Sequence, residues 1–367
     1  MKLISVVWFK VLPAKFGGQK GTALFNKYLA ERFELSCLCS SNNEKDASAN
    51  YKLINKLPIS KWQFIDPFCW KAILQSAKKE GANALILEYP YHGIAAVLAK
   101  SLLGIPFILH QHNIEYERFR QLGKWWWRLL KVYERWTCRR ADLVLFKTTE
   151  DRNIAIQQFA IAHNKSFLLP YGIELTSDTN EPSIIKTKYG LTDEAILLFA
   201  GTLDYAPNAE AVKAVYQKLA PQLDHLPFKY KIFICGRNRN PAFSYLKELA
   251  HPNILQAGEV EDIIPYFEAA SVFINPVLTG GGVQTKIIDA LSYHCNTVAF
   301  EYGLTSIDKA VCGEKIFPVA NENWKEFAQA VYGAAGRKSD TPPLFFETYS
   351  WRNIINNIAP HINALGK

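Results

Sequence analysis

The stretch NPVLTGGGVQTKIIDALSYH, residues 275–294, sets three glycines between a short apolar run and an amphipathic one. Gly280, Gly281 and Gly282 can adopt positive φ and let another molecule approach the main chain closely. A helix opening at Val283 turns its unpaired N–H groups, and the positive end of its dipole, toward that space. Phosphate suits such a place. The spacing puts Val283, Ile287, Ala290 and Leu291 on one core-facing stripe. Gly282, Lys286 and Asp289 fall on the other side, so an amino group and a carboxylate follow the glycines at one and two turns. The alternative is a plain hinge followed by an ordinary Lys–Asp surface pair.

Upstream and downstream of this stretch, short apolar runs recur with helix-length gaps. They are 3–9, 84–89, 107–112, 143–148 and 166–172 in the first half. In the second half they are 196–202, 230–236, 254–258, 271–276, 297–300 and 315–319. Continuously apolar strands belong to parallel sheets covered on both faces. The gaps carry helical periodicity, as where Ala211, Val215, Leu219 and Ala220 share a stripe. This βαβα order, twice over, predicts two doubly wound α/β domains with a ligand cleft at the carboxyl ends of their strands. The boundary is expected in the turn-rich segment Leu169 to Ser183, and a terminal helix interrupted at Pro360 closes the chain.

A chain of 367 residues, 49% apolar and 21% charged, is large enough for two domains with full cores. Seven cysteines without CxxC pairs suggest neither a disulfide framework nor a zinc site, and point to a reducing cytoplasm. The N-terminal MKLISVVWF is too short and too soon charged for a signal peptide, and no run is long enough to span a bilayer. Charge is uneven: residues 1–150 carry +11 and the remainder −3. An anionic surface or substrate is expected near the first half.

There is no GxxxxGK[ST], and the first strand is not followed by GxGxxG, which excludes a P-loop and argues against a dehydrogenase. That strand is followed instead by Gly17–Gly18 and a helical run, a second possible anion-facing helix start. His112, beside Asn113 at the end of an apolar strand, is the first-half candidate for chemistry, with His110 lying deeper. Pairing of His112 with Glu115 at the next helix start is the structural alternative.

Taken in order, these pieces resemble the retaining GT-B glycosyltransferases of the group 1, family 4 type. Gly17–Gly18 is similar to that family's first-loop glycine pair, FILHQHNIEYERF to its His-Asn segment, and LLPYGIE to its interdomain turn. FAGTLDYAPNAEAV, with Gly201 and Thr202, resembles the opening of its second domain, and the glycine stretch resembles its donor site. The resemblance implies two Rossmann-like domains, 1–172 and 173–347, facing across a cleft, with a helix over 348–367 crossing back to the first. It implies a nucleoside-diphosphate sugar donor whose diphosphate meets the amides of Gly281, Gly282 and Val283, while Asp289 holds the ribose. Gly281 stands where the family's E-x7-E pattern has its first glutamate, and Gln284 where glycine-rich relatives carry arginine. The cation on the diphosphate then falls to Lys286 or Arg237, and Arg237 is favoured because it follows a strand's carboxyl end. His112 is placed near the transferring sugar. Asp204 and Asp262 stand alone in the sequence, so no metal and no cofactor beyond the donor is expected.

The segment Arg118 to Arg140 holds eight basic residues and one acid, Glu134. At helical spacing Lys124, Arg128, Lys131, Arg135 and Arg139 share one face, and Trp125, Leu129, Val132 and Trp136 a neighbouring one. Such a helix suits an anionic membrane surface; the alternative is that its apolar face packs on the first domain. The expectation is a cytoplasmic hexosyltransferase peripheral to the inner membrane face. It would extend a glycan or lipid-linked acceptor for a surface polysaccharide or glycolipid, without nucleic acid. A non-catalytic scaffold of the same fold is the alternative that the departures at Gly281, Gln284 and Asp289 keep open.

Overall fold

Short apolar runs with helix-length gaps become parallel strands, because only crossover helices can cover both faces of such strands. The structure is a computed structural model that describes residues 1–14, 17–44, 49–174 and 184–366. The part of the expected boundary turn that falls on 175–183 lies outside the described residues. The chain divides into two units, Met1–Gly172 with Tyr349–Lys367, and Ile173–Thr348.

The first unit holds β1 (Lys2–Val7), β2 (Glu34–Ser40), β3 (Lys52–Leu57), β4 (Ala84–Glu88), β5 (Phe107–Gln111), β6 (Leu143–Phe146) and β7 (Ser166–Leu168). They form one parallel sheet in the order 3-2-1-4-5-6-7. The second unit holds β8 (Ala195–Ala200), β9 (Tyr230–Cys235), β10 (Ile254–Gly258), β11 (Val272–Asn275), β12 (Asn296–Phe300) and β13 (Ile316–Val319). They repeat the plan, again all parallel, in the order 10-9-8-11-12-13. Strand order reverses between β1 and β4 in one sheet and between β8 and β11 in the other. At such a reversal successive crossovers depart to opposite sides and leave a crevice beyond the carboxyl ends of the strands.

Four sequence readings need correction. The strand β3 stands where no strand was expected. The segment KLINKL of β3 is an edge strand and is mostly open to water, so it lacks a continuous apolar run. The terminal helix is not interrupted: Trp351–Ala364 runs through Pro360. Its buried Trp351, Ile354, Ile355, Ile358 and Ile362 complete the first unit's core, which outweighs the single hydrogen bond that proline removes. The segment 118–140 is two helices, Glu115–Gln121 and Trp127–Arg140, because Gly123 takes a left-handed φ of 66° between them. The helix after the glycine stretch is Thr285–Ser292 rather than one opening at Val283. Gly280 and Gly282, at φ of 101° and 84°, cannot belong to a right-handed helix, so the glycines form the loop ahead of it.

Candidate functional site

Each unit gathers its chemistry-bearing residues at its own strand reversal. In the first unit Glu88 closes β4 and stands opposite His110 of β5 in the strand register. Strand alternation turns His110 and His112 to one face, and both rings meet that carboxylate. Glu88 Oε1 lies 3.1 Å from His110 Nδ1, and Oε2 lies 2.5 Å from His112 Nε2. Glu88 and His110 are fully buried, whereas His112 keeps 11% of its side chain open. Burial alone would raise the Glu88 carboxyl, but the two histidines outweigh it and hold Glu88 well below the usual carboxylate range. Burial lowers His110 to about 3, so that ring is neutral at pH 7. A carboxylate only accepts, so each ring donates to it, and Nδ1 of His112 is the nitrogen left for a substrate.

The surroundings fix this group. Buried Lys147, beyond the end of β6, brings a positive charge toward Glu88 and is itself lowered by burial to about 8. Tyr89 stacks on His112 with centroids 4.3 Å apart and holds a positive φ of 71°, rare for a side chain with a Cβ. The expected alternative, His112 with Glu115, does not form. Glu115 instead accepts from Tyr91 Oη at 2.5 Å and Asn113 Nδ2 at 3.2 Å. Glu88, His110 and His112 also put three ligand-type atoms within 4.8 Å of one another. Both carboxylate oxygens already sit at hydrogen-bond distance from ring nitrogens, so the cluster reads as a hydrogen-bonded triad.

Glu134, the one acid in the basic segment, is a buried brace. It accepts from the N–H groups of Glu115 and Tyr116 and from Gln111 Nε2, each at 2.9 Å. Burial raises it to about 8. Glu134→Ala leaves those donors without a partner and is expected to cost about 2–4 kcal/mol, read as a lowered midpoint in urea. Glu134→Gln, which keeps one acceptor, should cost clearly less.

In the second unit the glycine loop follows β11, and Gly201 and Thr202 follow β8. Asn208 ties them together: its Nδ2 donates to the Thr202 carbonyl at 2.9 Å and its Oδ1 accepts from Lys286 Nζ at 3.0 Å. Lys286 also lies 4.8 Å from the ring centroid of Phe199, and burial pulls it down to about 7. Tyr302 Oη donates to the Gly280 carbonyl and fixes one end of the loop. Gly281 differs from its neighbours: it does not share their positive φ, and a Cβ there would meet no atom within 4 Å. The fold does not demand glycine at that position. Asp289 sits one turn beyond Lys286 on the same helix, Thr285–Ser292.

Arg237 follows the carboxyl end of β9, but its Nε donates to Asp204 Oδ2 at 2.6 Å. The N–H groups of Arg239 and Asn240 also reach Asp204, at 2.6 and 2.8 Å, and the Arg239 N–H leads in holding that carboxyl low, ahead of the Arg237 side chain and the Asn240 N–H. Asp204 therefore does not stand alone; it braces the loop that carries Arg237. Asp262 accepts from the N–H of Ile264 at the start of the helix Ile264–Ala269. A pocket of about 600 Å³ opens beside Arg237, lined by Gly236, Asn238, Gly258 and Glu259. Gly17 and Gly18 start the helix Gly17–Ala30 after β1, and a Cβ at Gly18 would meet open space. Of the first-half candidates, the sequence missed Glu88, Lys147 and the bracing role of Glu134.

Comparison with known proteins places both halves. Residues 17–177 match the family described as Glycosyltransferase Family 4, and residues 194–335 match that described as Glycosyl transferases group 1. A sucrose-phosphate synthase from Thermosynechococcus elongatus superposes with a TM-score of 0.75 at 14% identity, over 100% of this chain and 99% of that chain. A glycosyltransferase from Rickettsia africae gives 0.75 at 16% identity, over 100% and 98%. Anabaena Alr3699/HepE, solved with UDP and glucose, gives 0.72 at 14% identity, over 99% of each. None of the curated proteins matches this sequence. At these identities the structural likeness speaks for the fold alone, which is GT-B.

Proposed function

The chain is a GT-B glycosyltransferase by its two matched domains, and from that premise we propose a metal-independent, retaining hexosyltransferase using a nucleoside-diphosphate sugar. The observation that carries the reading is the linkage of Thr202, Asn208 and Lys286 beside a loop in which Gly281 leaves the main chain open. The loop amides of Gly281, Gly282 and Val283 supply dipoles and Lys286 supplies charge as the diphosphate departs. Arg237, already paired with Asp204, is the weaker candidate for that charge. Asp289 is assigned to the ribose, and the pocket beside Arg237 is large enough for a nucleoside. The relative solved with UDP supports a nucleoside diphosphate as the ligand class.

At the reacting centre the bond from the anomeric carbon to the diphosphate oxygen breaks. The acceptor hydroxyl bonds to that carbon on the same face, and its proton leaves with the diphosphate. His112, held through Nε2 by Glu88, offers Nδ1 to a hydroxyl of the sugar and stabilises the oxocarbenium-like charge. A panel of sugar nucleotides tests this: one should be hydrolysed slowly in the absence of acceptor. Binding of a nucleoside diphosphate with no turnover of any sugar nucleotide would favour the scaffold reading.

The acceptor is proposed to be a glycan or lipid-linked molecule at an anionic membrane surface, and the protein to be cytoplasmic. No helix among the described residues is long and apolar enough to cross a membrane, so attachment would be peripheral. The helix Trp127–Arg140 supports it, because its buried side is Leu130, Glu134, Thr137 and Cys138. Leu129 and Val132, which would have been covered if that face packed on the unit, stay 67% and 69% exposed beside exposed Arg128, Arg135 and Arg139. Reversing those three arginines to glutamate is expected to reduce sedimentation with phosphatidylglycerol-containing vesicles at least tenfold. Binding to neutral and anionic vesicles alike would contradict the assignment.

A further inference from the structure

The first unit contains a second pocket that the glycosyl-transfer chemistry does not use. It has a volume of about 980 Å³ and lies beyond the carboxyl ends of β1, β2 and β3. Most of its lining surface is apolar, and Trp8, Phe64, Tyr91, Trp126, Leu130 and Tyr133 contribute to it. Such a surface gives a sugar few hydrogen bonds, yet it would take up a hydrocarbon favourably.

Two further features say what fills it. Its mouth carries Ile59 and Ile65, 69% and 61% exposed, with exposed Lys124. The same two segments present Trp62, Phe68 and Trp125 to solvent, and the helix that supplies Leu130 and Tyr133 continues into the basic face at Arg128, Arg135 and Arg139. Apolar side chains around an apolar pocket, flanked by positive charge, match an anionic lipid surface from which a chain can enter. The inner end is equally defined. Trp8 packs against Phe64 at 5.7 Å and Tyr91 at 5.8 Å inside the wall, and against Tyr89 at 6.3 Å. Tyr89 is the ring stacked on His112. One layer of rings therefore separates the pocket from the Glu88–His112 pair.

We propose that this pocket binds the hydrocarbon chain of a membrane-borne amphiphile and delivers its polar head beside His112. The binding stands on the pocket itself; the head's role as the sugar acceptor rests on the proposed transferase reading.

Chain length is the test. Ethyl, octyl and dodecyl phosphate, each below its micelle concentration, are titrated into the intact protein, with UDP, GDP and ADP as a separate arm. Affinity is expected to rise about threefold to fourfold per methylene while the chain still fits. Ile59→Asp with Ile65→Asp, both at the exposed mouth and harmless to the core, should weaken dodecyl phosphate at least tenfold and leave nucleotide binding unchanged. Equal affinity for the three alkyl phosphates, or no effect of the double variant, overturns the proposal. If that happens while a nucleoside diphosphate still binds, the transferase reading stands alone. If chain length matters but no nucleotide binds, the pocket stands and the transferase reading falls.

Discussion

His112→Ala is expected to lower kcat for sugar transfer by about a hundredfold or more and to leave the affinity for the nucleoside diphosphate nearly unchanged. The magnitude is that of a positioned group that interacts with developing charge. The separation of kcat from binding follows because the diphosphate is assigned to a different set of residues, on the second unit. Glu88→Gln should come close to the same loss, although Glu88 is fully buried and acts through the histidines it holds. Its carboxylate accepts from both histidines, at 3.1 and 2.5 Å. An amide of the same shape has only one acceptor oxygen, so one ring faces an N–H group and must turn or change tautomer. A merely structural role for Glu88 predicts a lowered melting point with kcat per folded molecule intact. A positioning role predicts the reverse, a folded protein with depressed kcat.

Lys286→Met should weaken diphosphate binding about tenfold to a hundredfold, the range of a charge-assisted hydrogen bond removed from a shielded site. Its effect on the unliganded protein should run the other way. Burial lowers the ammonium to about 7, and its hydrogen bond goes to a neutral amide, Asn208. Between that value and the ordinary lysine pKa of roughly 10.4, the unfolded chain binds the proton that the folded chain has released. Stability contributed at this position therefore rises with pH across that window, and methionine should flatten the rise. The same displaced pKa makes diphosphate binding consume protons. At pH 8 the free site is mostly neutral, the anion restores the charged form, and uptake should approach one proton per ligand. Lys286→Arg, charged throughout, should bind without that uptake.

How far the sequence carries this account depends on whether a feature is local. Eleven runs marked strands because each is continuously apolar, and the runs at 84–89, 107–112 and 254–258 coincide with observed strands. The edge strand β3 was illegible because a strand paired on one side needs no apolar continuity. The glycine loop was legible as bare backbone, but only the observed φ of Gly280 and Gly282 moves the helix start to Thr285. His112 could be picked out from its strand-end position. Glu88 could not be joined to it, since the pairing spans 24 residues and depends on β4 lying beside β5. The available signal was an acid closing an otherwise apolar strand, a costly burial that implies a partner. The pairing of Arg237 with Asp204, which bears on the choice between Arg237 and Lys286, was hidden for the same reason, because it reaches across 33 residues.

Calorimetric titration of UDP, GDP and ADP into the intact chain at pH 8, repeated in two buffers of different ionisation enthalpy, tests the donor site most directly. One of the three should bind, with close to one proton taken up in the native protein and none in Lys286→Met, which binds far more weakly. Failure of all three to bind, or binding that Lys286→Met leaves unchanged, would contradict a diphosphate held by this loop and its lysine.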